Sequence, residues 1–377
     1  MALSLLNKRL TLTAWLTRSF VFLVVLGAAA PRLLAQEEDT RRSLGTITGG
    51  FQLDAQYYLP DSIIGAPDVP ERFRNNAFLN LNYTLGGFFM GARYEAYLKP
   101  LLGFNPQLEG QGVPIRYAGY EHERFKVTAG HFYDQFGSGM VFRAYWEPGL
   151  GFDNAVDGIH VQGRPIDGIR LKGFLGKQRL NFTESVGIVR GGDAEFDLHT
   201  LLPGRKPTDK GVGPGLQDRR SLLGDFKLTL GGSFVSRFQA DDDPDLIIPE
   251  NVAIWGVRTR AQYKRWQLDL EYARKINDPN ASNNFIYRPG QGLNFTLNYS
   301  MKGLGVTFSA HRLDNLDFRA ERNATGTDLT TNFLPPLARQ HTWRLPSLYL
   351  YATQPNGEVG VQLDIVYTFQ RGTTLGG

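Results

Sequence analysis

The residues of this 377-residue sequence best suited by type and spacing to act on a solute are a few acids and a larger set of bases. Glu147, Asp153 and Asp157 fall with Arg143 in one aromatic, glycine-rich stretch, GHFYDQFGSGMVFRAYWEPGLGFDNAVDGIHV (130–161). Arg93, Arg116, Arg124, Lys126, Arg170 and Lys172 occur in the segments before and after it. Carboxylates facing guanidinium and ammonium groups across a water-filled gap create a transverse field that orients dipolar solutes. These ten residues are therefore the expected lining of a constriction, with 132–157 as an inward-folded loop. Gly137, Gly139, Gly149 and Gly151 let that backbone turn tightly, and Phe132, Phe136, Phe142, Tyr145, Trp146 and Phe152 give it rings to pack against a wall. The alternative is that these rings only cap one end of the structure.

The elements that must position such a loop are strands. In Phe51–Leu59 the odd positions are apolar while Gln52, Asp54 and Gln56 are polar, the period-two pattern of a strand with one greasy face. Phe88, Met90, Ala92, Tyr94, Ala96 and Leu98 share a face opposite Arg93 and Glu95. Ala253, Trp255 and Val257 oppose Arg258 and Arg260, and after a tight turn Trp266, Leu268, Leu270 and Tyr272 oppose Asp269 and Glu271. The pattern predicts strands at 46–59, 76–85, 88–98, 113–121, 124–131, 158–164, 167–175, 180–189, 194–202, 221–230, 232–240, 251–264, 265–275, 291–301, 303–313, 342–352 and 358–370, with Gly-Gly pairs read as turns.

Two architectures bury one face of such strands, a soluble sandwich and a closed barrel in lipid. Runs of about 9 to 11 residues, the length of a tilted spanning strand, favour the barrel. So do repeated charges on the opposite face and aromatic rings near strand ends. The expected fold is all-β, an antiparallel transmembrane β-barrel of about 16 to 18 strands. The odd tally, and a tail of Gly-Thr-Thr-Leu-Gly-Gly377 without a terminal aromatic strand, predict an incomplete portion of a longer barrel.

Lys8, Arg9 and Arg18 precede the apolar run Val21–Ala30, and Ala35-Gln36 follows, which is the pattern of a signal peptide at 1–35. That segment holds four of the 41 basic residues and no acid, so the remaining chain balances its 37 acids. A nucleic-acid partner, which needs a basic face, loses its support. With no cysteine, neither a disulfide framework nor a lipidated cysteine is available.

Catalytic constellations are thin. Asp197 with His199 on one strand, or His131 with Asp134 and Ser138, can be written as acid–histidine pairs, yet no nucleophile motif accompanies them. Asp241-Asp-Asp-Pro-Asp245 lacks the spacing and glycine of a calcium loop. No enzyme activity, metal or cofactor is expected.

Phe136-Gly-Ser-Gly-Met-Val-Phe-Arg143, followed by Gly151-Phe-Asp-Asn-Ala-Val-Asp-Gly158, resembles a segment shared by an uncharacterised group of porin-like outer-membrane proteins from Bacteroidota. The resemblance implies the outer membrane of a Gram-negative bacterium and a barrel in contact with its lipid. The expected function is a channel for small hydrophilic solutes, narrowed by the inward loop. The alternative is a non-conducting structural or assembly barrel whose external loops bind an outer-membrane protein partner.

Overall fold

The computed structural model describes residues 44–66, 68–202, 223–337 and 353–369, all but Leu44 belonging to the unit Gly45–Gly377. Its strands in chain order are β1 (Thr46–Tyr57), β2 (Phe73–Leu85), β3 (Phe88–Lys99), β4 (Gly110–His122), β5 (Phe125–Phe132), β6 (Asp134–Phe136), β7 (Phe142–Ala144), β8 (Trp146–Glu147), β9 (Phe152–Asp153), β10 (Val156–Gly163), β11 (Ile169–Leu180), β12 (Thr183–Asp197), β13 (Phe226–Phe238), β14 (Asn251–Tyr263), β15 (Trp266–Lys275), β16 (Gly290–Met301), β17 (Leu304–Asp314) and β18 (Glu358–Tyr367). β6 pairs with β7 and β8 with β9, as two small hairpins between β5 and β10. The other fourteen form one sheet in chain order, every recorded pair antiparallel. Among the described residues, β1 and β18 have one neighbour each.

Connection length separates the two ends of the sheet. At one end the chain turns over in 86–87, 123–124, 164–168, 264–265 and 302–303. At the other, 58–72, 100–109, 133–155, 239–250 and 276–289 bridge the strands, and the described segments 315–337 and 353–357 flank β17 and β18 there. The tight turn 181–182 at the long-loop end and the segment 198–225 at the short-turn end break this rule.

Period two is realised as two unlike faces. On the bare face, Ile159, Leu175, Phe234 and Val257 of central strands are 51–55 % exposed. On the opposite, packed face, Phe174, Val189, Val235 and Ile254 are buried under residues of 133–155 and 315–337. A smaller cluster of Phe78, Tyr97 and Leu108 packs against Trp146 and Phe182.

The wall differs from expectation at two Gly-Gly pairs. Segments expected separately at 180–189 and 194–202 are one strand, β12, followed by a short helix, Leu198–Leu201. Those expected at 221–230 and 232–240 are likewise one strand, β13. Gly191-Gly192 and Gly231-Gly232 sit mid-strand because their neighbours need the space. A Cβ on Gly191 would lie 2.7 Å from Val235 Cγ2 and 2.8 Å from the Phe174 ring, and one on Gly231 would lie 2.6 Å from the Arg258 guanidinium. Gly86-Gly87 does form a turn. The expected signal peptide (1–35), the strand expected at 342–352 and the loop Lys206 to Arg220 lie outside the described residues.

Candidate functional site

The segment 133–155 leaves β5 after Phe132 and doubles back on itself. The β6–β7 hairpin closes over Gly137-Ser138-Gly139, where Gly137 has φ +55°. A Cβ there would stand 2.9 Å from both the Glu271 carboxylate and Arg258 Cδ, so the tip requires glycine for conformation and for room. Phe136, Met140, Val141 and Phe142 are fully buried. The Phe142 ring stacks on Phe174 of β11 at 4.3 Å, and Phe136 lies 5.1 Å from Phe142. Ser138 N–H donates to Glu271 Oε2 of β15 at 2.8 Å.

A second segment, 315–337, completes this packing and was not foreseen. Leu316, Phe318, Ala320 and Leu329 enter the same cluster as Phe136 and Phe142. The two segments are stitched by hydrogen bonds. Arg143 N–H donates to Thr331 O (2.9 Å), Phe333 N–H to Gly139 O (2.9 Å), Asn332 Nδ2 to Met140 O (3.0 Å) and Asn154 Nδ2 to Thr330 O (2.8 Å). The available signal was the alternation of Leu316, Phe318 and Ala320 with Asp317 and Arg319, a short greasy run outside the wall.

The structure brings only part of the expected constriction together. Asp153 pairs with Arg93, as the signs required, but the pair is closed by two residues that sequence reasoning left out. Arg179 Nη1 lies 2.5 Å from Asp153, Arg179 Nη2 lies 2.6 Å from Glu95, and Arg93 Nε lies 2.7 Å from Glu95. Tyr133 OH donates to Asp153 at 2.9 Å, and the Arg93 guanidinium rests 3.8 Å over Trp146. Two cations and two carboxylates, with side chains 1–9 % exposed, pair with one another in place. Lys172 binds a different acid, Asp134, at 2.6 Å, and His160 Nε2 lies 2.9 Å from the same carboxylate. Burial pushes the Asp134 carboxyl up, but hydrogen bonds from His160 and Lys172 outweigh it and hold the group below its ordinary value.

The remaining predicted residues are scattered. Arg143 stacks over the Tyr145 and Phe333 rings at 4.3 and 4.2 Å. Glu147 is exposed at the bend before Pro148–Leu150. Toward the short-turn end, Arg124 donates to Pro165 O, Lys126 pairs with Glu121 at 3.0 Å and Arg170 with Glu195 at 2.5 Å. Arg116 and Asp157 are placed by the pleat on the other face. Asp157 has the parity of Ile159 and Val161, and Arg116 pairs with Ala92, which has the parity of Phe88 and Met90. They meet each other at 3.5 Å, on the bare face, away from Arg93.

The imagined catalytic sets are not assembled. Asp134 binds His160 and Lys172, Ser138 N–H binds Glu271, and the His131 ring lies against the Arg116 backbone. Asp197 caps the helix Leu198–Leu201 by accepting from His199 N–H. The side chains of Asp241 and Asp243 accept backbone N–H groups of their own loop. No group of acids or histidines among the described residues could hold a metal ion.

Toward the short-turn end, beyond the apolar packing, the same face opens into a cavity of ≈500 Å³ lined by charges. Arg258 reaches Asp193 at 2.7 Å and Glu195 at 3.0 Å, and Arg260 reaches Asp269 at 2.5 Å. Lys172, Glu271, Asn294 and Thr296 share the lining, with Gln135, Gly137 and Ser138 of the loop above them. Arg258 stands opposite Glu271 in register, and Arg260 opposite Asp269. That complementarity was already readable from the hairpin. A second cavity of ≈480 Å³, with Asn80, Asn82, Tyr117, Thr128 and Gln162, lies on the other side of Tyr133 and His160.

These features define an all-β protein with a 14-stranded antiparallel sheet, one face apolar and bare, the other charged and partly filled by the protein's own loops. The model of the family of unknown function DUF6029 matches residues 10–377, and the chain belongs to that family. No curated protein matches by sequence. Among solved structures, the chain is similar to a BenF-like porin from Pseudomonas fluorescens Pf-5 (12 % identity, TM-score 0.34, covering 76 % of this chain and 84 % of that one). It is also similar to OmpF of Salmonella typhi in complex with daunomycin (12 %, 0.38, 76 % and 82 %) and to OccK2 of Pseudomonas aeruginosa in complex with glucuronate (10 %, 0.33, 72 % and 80 %).

Proposed function

We propose that the protein is an outer-membrane β-barrel channel for small hydrophilic solutes, exported by its N-terminal signal, in which 133–155 and 315–337 fill the external half of the lumen. The bare face carries the reading. Rings and aliphatic side chains repeat along strand after strand with half their surface uncovered. Each Å² of that surface left in water forfeits on the order of 25 cal/mol, and lipid tails are the medium that recovers it. In hydrocarbon every backbone group needs a protein partner, so the sheet must close on itself. The short connections then face the periplasm and the long ones the exterior. The charged cavity under the loop is the water-filled part of the path, and Arg258, Arg260, Asp193, Glu195, Asp269 and Glu271 are its polar lining.

One observation favours a second reading, a non-conducting barrel that binds a protein partner through its external loops. Phe136, Met140, Phe142 and Phe318 are packed as tightly as a globular core. Recordings in planar bilayers separate the two. The full-length protein, refolded from detergent, is expected to give small stepwise currents that grow severalfold when 137–153 is replaced by a short Gly-Ser linker. Silence of both proteins, in samples shown to be heat-modifiable on gels, rejects the channel and leaves the structural barrel.

A further inference from the structure

We infer that the bare face carries a docking belt for the phosphate-bearing headgroups of external-leaflet lipid, an inference that rests on the barrel reading above. Its members are Lys177 of β11, Arg190 of β12, Arg274 of β15 and Arg312 of β17. Arg274 is exposed between two fully buried neighbours, Ala273 and Lys275, and Arg312 between buried His311 and Leu313. Arg190 is exposed beside buried Val189, and half-buried Lys177 beside buried Gln178. All four therefore point away from the packed face. Three stand beyond the apolar residues of their strands on the way to the long-loop end, Lys177 after Leu171 and Leu175, Arg274 after Trp266 and Leu270, Arg312 after Phe308, while on β12 Ile188 and Val186 follow Arg190 in that direction.

The register shows that the four lie on one level line. The hydrogen-bonded row through Lys177 meets β12 at Ile188, two residues from Arg190. Arg190 pairs with Ser236 and Ser236 with Ala253, and the Ile276 N–H donates to Ala253, two residues from Arg274. Arg274 pairs with Gln291 and Gln291 with Asp314, two residues from Arg312. Each step runs toward the short-turn end, so the cations descend about one residue per strand from β11 to β17. One residue of rise, about 3.3 Å, per inter-strand spacing of about 4.8 Å is a slope of about 35°. A membrane plane crossing strands tilted by roughly 35–45° cuts them in that way. The four charges thus share one depth, on the long-loop side of Leu175, Leu270 and Phe308.

Lys177 stands in register opposite Asp157, whose carboxylate reaches Arg116 at 3.5 Å. Arg190 donates to Ser236 Oγ at 2.9 Å and to Asn251 Oδ1 at 3.1 Å, both neutral. No ion pair involves any of the four among the described residues. At the short-turn rim the same face presents the rings of Tyr120, Phe125, Tyr263, Trp266 and Tyr299 instead. Guanidinium groups in such a line offer paired N–H donors to phosphate oxygens. Because the line borders hydrocarbon, the ligand must carry acyl chains beside its phosphate, which selects a lipid over free phosphate.

The test uses the full chain in phosphatidylcholine nanodiscs doped with diphosphorylated lipid A or with the same lipid A stripped of phosphate. Lipid retained after detergent extraction is counted by native mass spectrometry. The expected result is severalfold greater retention of the phosphorylated form, abolished in Lys177→Gln/Arg190→Gln/Arg274→Gln/Arg312→Gln and unaffected by millimolar inorganic phosphate. Equal retention of both lipids, or a variant as retentive as the wild type, overturns the belt. So does a wild-type oligomer that the variant loses without any lipid preference, which assigns the line to a second copy of the chain. Heat-modifiable mobility on the same samples keeps the two readings apart. If no such form inserts, the barrel and the belt fall together; if it inserts without preference, only the belt falls.

Discussion

The packed face of β11 to β17 is filled toward the long loops and opens into a charge-lined cavity toward the short turns, although one alternating pattern runs through both halves. In the upper half Phe174, Val189, Val235 and Ile254 meet the rings of 133–155 and 315–337. In the lower half the same strands present Lys172, Asp193, Glu195, Arg258, Asp269 and Glu271 to an open cavity. The packed-face residues change from Phe174, Val189, Val235 and Ile254 to charged ones near the loop tip Gly137-Ser138, and buried charges return at the long-loop end, where Arg237 and Lys275 pair with Asp278. The difference teaches that the wall is a generic support. What covers its packed face is decided by two connecting segments and by the few facing positions that match them.

The sharpest way to break this contrast is to open the filled half. Phe142→Ala removes a fully buried ring stacked on Phe174 and is expected to cost about 3–5 kcal/mol. In urea-induced unfolding from liposomes, Leu270→Ala on the bare face should cost less than half as much if, as proposed, lipid fills the gap. Equal losses would mean that the upper half is no better packed than the outside. Next in size, Phe308→Arg places a charge on the bare face of β17 and should cost about 2–4 kcal/mol by the same measurement, whereas Thr296→Arg, which points into the wet cavity from β16, should cost under about 1 kcal/mol. Similar costs at the two sites would erase the distinction between lipid and water.

A smaller effect is expected at the boundary between the halves. Gly137→Ala must adopt a left-handed φ and push against the Glu271 carboxylate, a cost of about 1–2 kcal/mol that should show as noisier and larger single-channel steps. Unchanged currents would separate the loop tip from the conduction path.

The wall was legible because period two is local. Trp255 and Val257 against Arg258 and Arg260 announce both faces without reference to any partner strand. The Gly-Gly pairs misled because glycine serves close approach as readily as turning, and only the position of Phe174 or Arg258 across the sheet tells which. That 133–155 would pack its rings against the sheet was legible from its aromatic residues and glycines. The part played by 315–337 was not, since Asn332 finds its partner Met140 192 positions away. Signs of charge were legible as well, but pairing was not. Asp153 was expected to face Arg93 across water, and in the structure the two meet directly, with Arg179 and Glu95 completing a neutral cluster around them. Arg116 and Asp157 were assigned to the wrong face because a single residue of register reverses every side chain.

The smallest expected effect concerns the root of the loop, where Asp134 ties β6 to His160 and Lys172. Its carboxyl is held below the ordinary 3.8 in the folded protein. A depressed folded value means that the unfolded chain takes up the proton first. The anchor therefore stabilises the fold fully above the ordinary value, and that contribution is lost as pH falls through 3.8 and on through the lower folded value. Asp134→Asn should lower the heat-modification midpoint near pH 6 and flatten its decline between pH 5 and 3 relative to wild type. The expected difference at pH 6 is a few degrees, since the carboxylate is replaced by an amide that still bonds His160 or Lys172 in part. A variant whose acid decline runs parallel to the wild type would remove Asp134 as the titrating anchor and leave the loop to its buried rings and to its bonds with 315–337 and the Arg179 cluster.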